Sequence, residues 1–366
     1  MNSSQAILMT GATGALGQEL LREILQTSNA SLHLIVRRKK QLSHWDRIRT
    51  ILAPGNLERH LAVRVHVHEG DITEPFLGLN RHDWESLRSV ITDFYHVAAL
   101  TTLNGSAEDC ERMNVQGTRY ALDGAWDLRR YGKLKRFVYF STAYASGSKW
   151  THHAKEDSLP ENPVFANEYE ASKYRSEKSV RDAIQQGMPA TIFRPSIIVG
   201  HSETGEVSEF NVIYPFIKLF AHGILSKIPT TPENAFNIVP IDFVVKASLA
   251  IANQPESLNH CYHLVTQNPP PIRLLFELKD KEYASVPDIE VISPENFSRE
   301  SLSPNEQFVY DMMEPYLGYL NGNLTFDTTH TEAALKGTGI EFPSTDYNFI
   351  KKLLEYAADS GYLVIN

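Results

Sequence analysis

Over its first 200 residues the chain alternates short apolar runs with amphipathic stretches. Residues 6–10 are an apolar run that leads into a glycine-rich turn, and Leu16, Leu20, Leu21, Ile24 and Leu25 then recur at helical spacing. Further runs at 32–36, 94–99, 137–141 and 191–193 predict strands. Val63, Val65 and Val67, alternating with polar positions, predict another. Helical patterns fall between them, notably at 110–130 and 167–186. Such alternation predicts an α/β fold with a doubly wound parallel sheet and right-handed crossovers.

After Gly200 the rhythm changes. A polar loop at 203–209 precedes a predicted helix over 210–225 and a second loop at 229–237. Residues 241–252 read as a helix returning to the sheet, followed by a strand at 262–265. Pro269-Pro270-Pro271 is a rigid connector, and the remainder is mostly helical and loop-rich. This pattern puts residues 1–200, rejoined by 237–266, in a Rossmann-type domain. Residues 201–236 and 267–366 form a smaller, mostly helical substrate-binding lobe.

Composition narrows the classes. The chain has 366 residues with 42% hydrophobic content, enough for a substantial core. No run of eighteen apolar residues occurs and the first residues lack a leader pattern, so a cytoplasmic protein without integral membrane contact is expected. Two cysteines, Cys110 and Cys261, fit a reduced protein better than a disulfide scaffold. A formal charge of -9 disfavours nucleic acid as a partner. His66 and His68 alternate with valines, His152-His153 sit in a loop, and no zinc-ligand spacing is present, so no metal is expected.

Two motifs carry chemistry. In Thr10-Gly11-Ala12-Thr13-Gly14-Ala15-Leu16-Gly17, three glycines at intervals of three allow a tight turn, close approach to a pyrophosphate and close helix packing. The helix that follows favours an anion at its N-terminus. The second strand ends in Arg37-Arg38-Lys39-Lys40, without the acid that would bind both ribose hydroxyls. Arg37 and Arg38 suit a 2′-phosphate, which favours NADPH, while Lys39 and Lys40 read as solvated. Asp71 is placed either to touch adenine or to cap a turn. Downstream, Tyr169 and Lys173 stand four residues apart, on one face of a helix. The fifth strand ends in Ser141-Thr142, where an open parallel sheet binds its ligands. A hydroxyl there can orient a carbonyl. Tyr169 can act as general acid, and Lys173 can lower the tyrosine pKa and hold the nicotinamide ribose.

At these residues the chain resembles the extended short-chain dehydrogenase/reductase family. The resemblance includes the glycine-rich turn, His96-Val97-Ala98-Ala99, Asn114-Val115-Gln116-Gly117-Thr118, Tyr169-x-x-x-Lys173 and Arg194-Pro195-Ser196. It implies a triad of Thr142, Tyr169 and Lys173, with Ser141 preceding the triad hydroxyl. It further implies cofactor contacts at Thr13, Ala15, Leu16, Ile72, Ala98, Ala99, Asn114 and Ser141, with Pro195, Ser196 and Ile197 against the nicotinamide. Within that family the chain is similar to the thioester reductases: reductive release domains of nonribosomal peptide and polyketide synthases, reductase domains of carboxylic acid reductases, and fatty acyl-CoA reductases. The long connection from Arg38 to Ala62 with an extra helix at 42–52, the stretch Ser141-Thr142-Ala143-Tyr144 and Asn237-Ile238-Val239-Pro240-Ile241-Asp242 carry this similarity.

The resemblance implies reduction of an acyl thioester to an aldehyde, or onward to the alcohol. The acyl group is expected on a separate carrier protein or on coenzyme A. An acidic carrier would need a basic patch. Residues 129–136 are one candidate, although cations also suit a helix end, and residues 149–155 are the other. Glu156 and Asp157 can assist a proton step but more often are simply solvated in a loop. Competing readings are a carbonyl or hydroxysteroid-type dehydrogenase, a nucleotide-sugar epimerase with Arg273 and Arg299 on a diphosphate, and a non-catalytic NADP sensor.

Overall fold

The computed structural model describes residues 5–39, 42–147, 153–224, 226–321 and 324–363. Seven parallel strands form its centre: β1 (Ala6–Thr10), β2 (Ser31–Val36), β3 (Val65–Glu69), β4 (Asp93–His96), β5 (Arg136–Phe140), β6 (Ala190–Pro195) and β7 (Cys261–Leu264). Their order across the sheet is β7-β6-β5-β4-β1-β2-β3. Chain order therefore reverses beside β1, between β2 and β4. That switch point is where the loops after neighbouring strands diverge and leave a crevice.

Among the described residues, the helices that frame the sheet and the site include α1 (Ala15–Thr27), α2 (His44–Leu52), α3 (Gly117–Tyr131), α4 (Glu168–Gln185), α5 (Ile213–Ala221), α6 (Ile241–Ala252), α7 (Arg273–Glu282), α8 (Pro304–Asn321), α9 (Thr329–Leu335) and α10 (Tyr347–Asp359). Successive residues of a strand face opposite sides. Ile7 and Met9 of β1 accordingly join Leu20, Leu21 and Ile24 of α1 and Val244 and Ile251 of α6 in one core. Ala6 and Leu8 join Trp84, Ala121 and Leu128 on the other face. A third core, with Tyr214, Phe216, Leu278, Leu317 and Leu353, binds α5, α7, α8 and α10 to one another.

Several boundaries differ from the pattern for local reasons. The third strand begins at Val65, and Val63 is exposed, because Ala62 takes a left-handed backbone (φ +60°) in the preceding turn. The helix expected over 210–225 runs from Ile213 to Ala221, bracketed by left-handed residues Val212 (φ +51°) and Gly223 (φ +64°). The segment expected as one helix over 110–130 has a π-helical turn at Glu111–Gln116 before α3. Within the helical, loop-rich remainder, α10 ends at Asp359, before the left-handed Gly361. Residues 267–366 do not all join the helical lobe: Leu335 of α9 packs into the sheet-side core, where α9 lies against β7 and α6. Cys110 and Cys261 are buried free thiols.

Candidate active site

The loops after six strands line one cavity of about 420 Å³ at the carboxyl edge of the sheet. Its walls include Gly11, Thr13, Gly14, Ala15, Leu16 and Gly17 after β1, Arg37 and Lys39 after β2, and Gly70 and Ile72 after β3. They continue through Ala98 and Ala99, Ser141 and Thr142, Tyr169 and Lys173, and Pro195, Ser196 and Ile197. Residues from the lobe side, Val212 and Tyr319, close it.

The glycine turn is shaped by close approaches. Gly11 has φ +79°, and a Cβ there would lie 2.5 Å from the Ala98 nitrogen. A Cβ on Gly17 would lie 2.0 Å from the Gly11 carbonyl oxygen. Only glycine lets α1 pack this tightly and bring its N-terminus to the cavity. At the far end, Ser196 Oγ lines the wall, is buried, and has no hydrogen-bond partner among the described residues. A bare backbone cradle at one end and an orphaned hydroxyl at the other fit a dinucleotide with a polar group at its reactive ring.

The end of β2 is arranged differently from the sequence expectation. Arg37 is on the cavity wall, but Arg38 is exposed and is not part of it. The second guanidinium comes instead from Arg47, one turn into α2. Ser43 caps that helix by accepting from the Asp46 N–H at 3.1 Å. Arg47 donates from Nη1 to the Arg37 carbonyl at 2.6 Å and from Nη2 to Thr13 Oγ1 at 2.8 Å. Burial, then the neighbouring charge of Arg37, lowers the Arg47 pKa. Asp71 caps a turn: Oδ1 accepts from Thr73 N–H and Oγ1, each at 2.9 Å, and Oδ2 lies 3.9 Å from Arg37 Nη1. Asn114 is not on the wall either. It accepts from the Leu100 N–H at 2.7 Å and donates to Ser172 Oγ at 2.8 Å, tying the loop after β4 to α4.

The triad residues meet on one side of the cavity. Asn167 caps α4 by accepting from the Glu170 N–H at 3.0 Å, and Tyr169 and Lys173 project from its first turns. Lys173 Nζ donates to the Phe140 carbonyl at 2.7 Å and lies 4.4 Å from the centroid of the Tyr139 ring. Burial lowers its pKa to about 7, opposed by the Glu177 carboxylate one turn along. Burial alone would raise the Glu177 carboxyl, but Arg194 and Arg181 hold it at about 2. Tyr169 is half-buried on the cavity wall. Burial raises its pKa to about 12, opposed by a hydrogen bond with the Thr142 hydroxyl. Thr142, rather than the expected Lys173, is thus the group seen to oppose burial at this phenol.

Other candidates fall elsewhere. Glu156 is fully buried, not solvated: it accepts from the His263 N–H (2.8 Å), the His330 N–H (2.6 Å) and Thr331 Oγ1 (2.7 Å), while Asp157 is exposed. Arg129 and Arg130 end α3 and Arg136 opens β5, at the sheet edge away from the cavity. In the other basic stretch, residues 148–152 lie outside the described residues. Arg273 pairs with Glu277 and Arg299 with Asp311, both exposed and off the cavity wall, so neither serves a diphosphate there. His33, His66 and His68 stack on one face of the sheet, and Asp157, His260 and His330 converge at the surface, a grouping that spacing did not show.

The NAD-binding family described as "Male sterility protein" matches residues 9–248. A linear gramicidin synthase from Brevibacillus parabrevis is 28% identical over 98% of the chain, and the match covers 7% of that protein. The nonribosomal peptide synthetase asaC from Aspergillus flavus is 28% identical over 73% of the chain and is covered over 26%. The chain thus spans well under a third of these relatives. The crystal structure of the terminal R domain from the myxalamid PKS-NRPS biosynthetic pathway superposes with a TM-score of 0.84 at 28% identity, covering 100% of this chain and 93% of that one. No helix among the described residues is long and apolar enough to cross a membrane. With its glycine cradle and Tyr-Lys helix at the carboxyl edge of a doubly wound sheet, the chain belongs to this NAD-binding family and is an NAD(P)-dependent oxidoreductase of the extended short-chain dehydrogenase/reductase fold.

Proposed function

We propose that the protein uses NADPH to reduce an acyl thioester, carried on phosphopantetheine of a carrier protein or of coenzyme A, to an aldehyde. The observation that carries this reading is the joining of Thr142, Tyr169 and Lys173 to the glycine cradle in one cavity that continues into the helical lobe. Similarity to a terminal R domain over the full chain supports the thioester as substrate. The Arg37–Arg47 pair supports NADPH over NADH. Arg47 is anchored to the Arg37 backbone and feels the Arg37 charge, so a phosphate at this end of the cavity suits the two cations and relieves their repulsion.

When bound, the nicotinamide supplies a hydride to the thioester carbon. Thr142 Oγ1 and the Tyr169 hydroxyl donate to the carbonyl oxygen, which becomes an oxyanion as the carbon turns tetrahedral. Tyr169 is fully protonated at neutral pH, so it arrives as an acid able to complete the proton transfer. Lys173 is fixed by the Phe140 carbonyl and the Tyr139 ring, which keep its ammonium at the end of β5, where it would hold the nicotinamide ribose. The hemithioacetal then collapses, the C–S bond breaks, and thiol and aldehyde leave.

The test is NADPH oxidation followed at 340 nm with acyl thioesters and with free aldehydes, and product identification by mass spectrometry. Thioester-dependent turnover with aldehyde as product is the expected result, and alcohol would add a second reductive round. Turnover of aldehydes or ketones alone would overturn the reading in favour of an ordinary carbonyl reductase.

A further inference from the structure

Two smaller spaces lie beyond the lobe-side wall of the triad's cavity. A second space of about 30 Å³ shares Ile197, Val212 and Tyr319 with it. A third, of about 80 Å³, shares Phe216, Ile217, Leu275 and Leu320 with the second. The three spaces form a series that leads from the triad into the interior between α5, α7, α8 and α10.

The walls beyond the seam are almost wholly apolar. Among the described residues lining the third space, the charged group is Lys279, and its amine is turned outward to Asp280 (2.9 Å) and Asp288 (2.5 Å). Among these residues no ordered row of donors and acceptors faces inward. An amide-bearing acyl group would lose its hydration here without replacement, which is strongly unfavourable. A hydrocarbon loses nothing. Interiors are normally filled to crystal-like density, and apolar voids stay dry until an apolar ligand enters.

The seam is built to hold a substrate in line with the triad. The Tyr319 ring stands edge-on to Tyr144 at 4.7 Å, and its hydroxyl accepts from Asn167 Nδ2 at 3.1 Å, at the cap of the helix that carries Tyr169. Opposite, Val212 holds a left-handed backbone (φ +51°), a conformation that β-branched residues rarely adopt. It directs the side chain to the wall shared by the first two spaces.

We propose that these spaces form a tunnel for the aliphatic tail of the acyl group, so that the substrate class is a fatty-acyl rather than a peptidyl thioester. This inference rests on the thioester reading above. The carbonyl stands at Thr142 and Tyr169, and the chain passes Tyr319 and Val212 to end among Phe216, Ile217 and Leu275.

The test compares octyl and ethyl pantetheine thioethers, which cannot be reduced, for binding to the protein by calorimetry. It is paired with kcat/KM for octanoyl, acetyl and glycylglycyl pantetheine thioesters. Each buried methylene is worth up to about fourfold. The octyl thioether is expected to bind at least about tenfold tighter than the ethyl one. Ile217→Trp and, separately, Leu275→Trp should abolish that advantage, and an unaltered unfolding temperature together with unaltered NADPH affinity certifies each variant. Equal binding of octyl and ethyl probes, or a preference for the glycylglycyl thioester, overturns the tunnel. Octyl-selective binding without turnover of any thioester upholds the tunnel and overturns the reductase reading.

Discussion

Replacing Arg47 by alanine is expected to weaken NADPH far more than NADH. In the structure Arg47 bonds the Arg37 carbonyl at 2.6 Å and Thr13 Oγ1 at 2.8 Å. It therefore does two things: it places a guanidinium beside Arg37, and it braces the glycine turn. A hydrogen bond to a charged group contributes about 1.5–3 kcal/mol, equivalent to about 10- to 150-fold in affinity. That part is specific to the 2′-phosphate. Loss of the guanidinium's bond to Thr13 Oγ1 loosens the turn that both cofactors share, at a cost to each of about 1 kcal/mol, about fivefold. The expected result is a rise in the NADPH Kd of about 50-fold or more, with NADH weakened about fivefold. Fluorescence titration of both nucleotides reads this directly. Arg38→Ala, on an exposed side chain off the wall, should change neither. Equal losses for NADPH and NADH would show that Arg47 only braces the turn. A large effect of Arg38→Ala would refute the assignment of the second guanidinium.

Three further outcomes follow from the site. Tyr169→Phe should lower kcat by about 10²- to 10⁴-fold with NADPH binding intact, as measured by steady-state kinetics beside a binding titration. For Lys173, the folded pKa of about 7 lies below its ordinary 10.5, so the unfolded chain holds the proton more tightly across that window. Stability should rise from pH 7 to 10.5, by at most about 5 kcal/mol, and Lys173→Met should flatten that rise in denaturant titrations at several pH values. Gly17→Ala should lose cofactor binding and unfold at lower temperature, since its Cβ would meet the Gly11 carbonyl oxygen at 2.0 Å; calorimetry with and without NADPH checks both.

Some of this protein was legible in its sequence because the signals are local. Strands buried on both faces read as apolar runs, and the helices between them keep one apolar stripe, so the alternation that defines the sheet was visible. Tyr169 and Lys173 share a helix face by spacing alone. The glycines after β1 announce a turn without side chains. Arg37 was found because it ends a strand whose loop must reach the cavity.

Tertiary structure decided the rest. Arg47 enters the site because Ile48 and Leu52 anchor α2 in the core, a fact that no neighbouring residue encodes. Glu156 looked like a loop acid, yet its partners at His263, His330 and Thr331 lie more than a hundred residues away in sequence and arrive only when β7 and α9 pack. Asn114 proved to be a clamp for the same reason. The apolar spaces beyond Tyr319 are lined from four helices whose individual patterns show only that each buries a face. The sequence by itself determined the elements, the cofactor cradle and the pairing of Tyr169 with Lys173, because these depend on contacts within a few residues. Which charges converge on the cofactor, and what shape of substrate the lobe admits, depend on how distant elements pack, and only the folded chain holds that information.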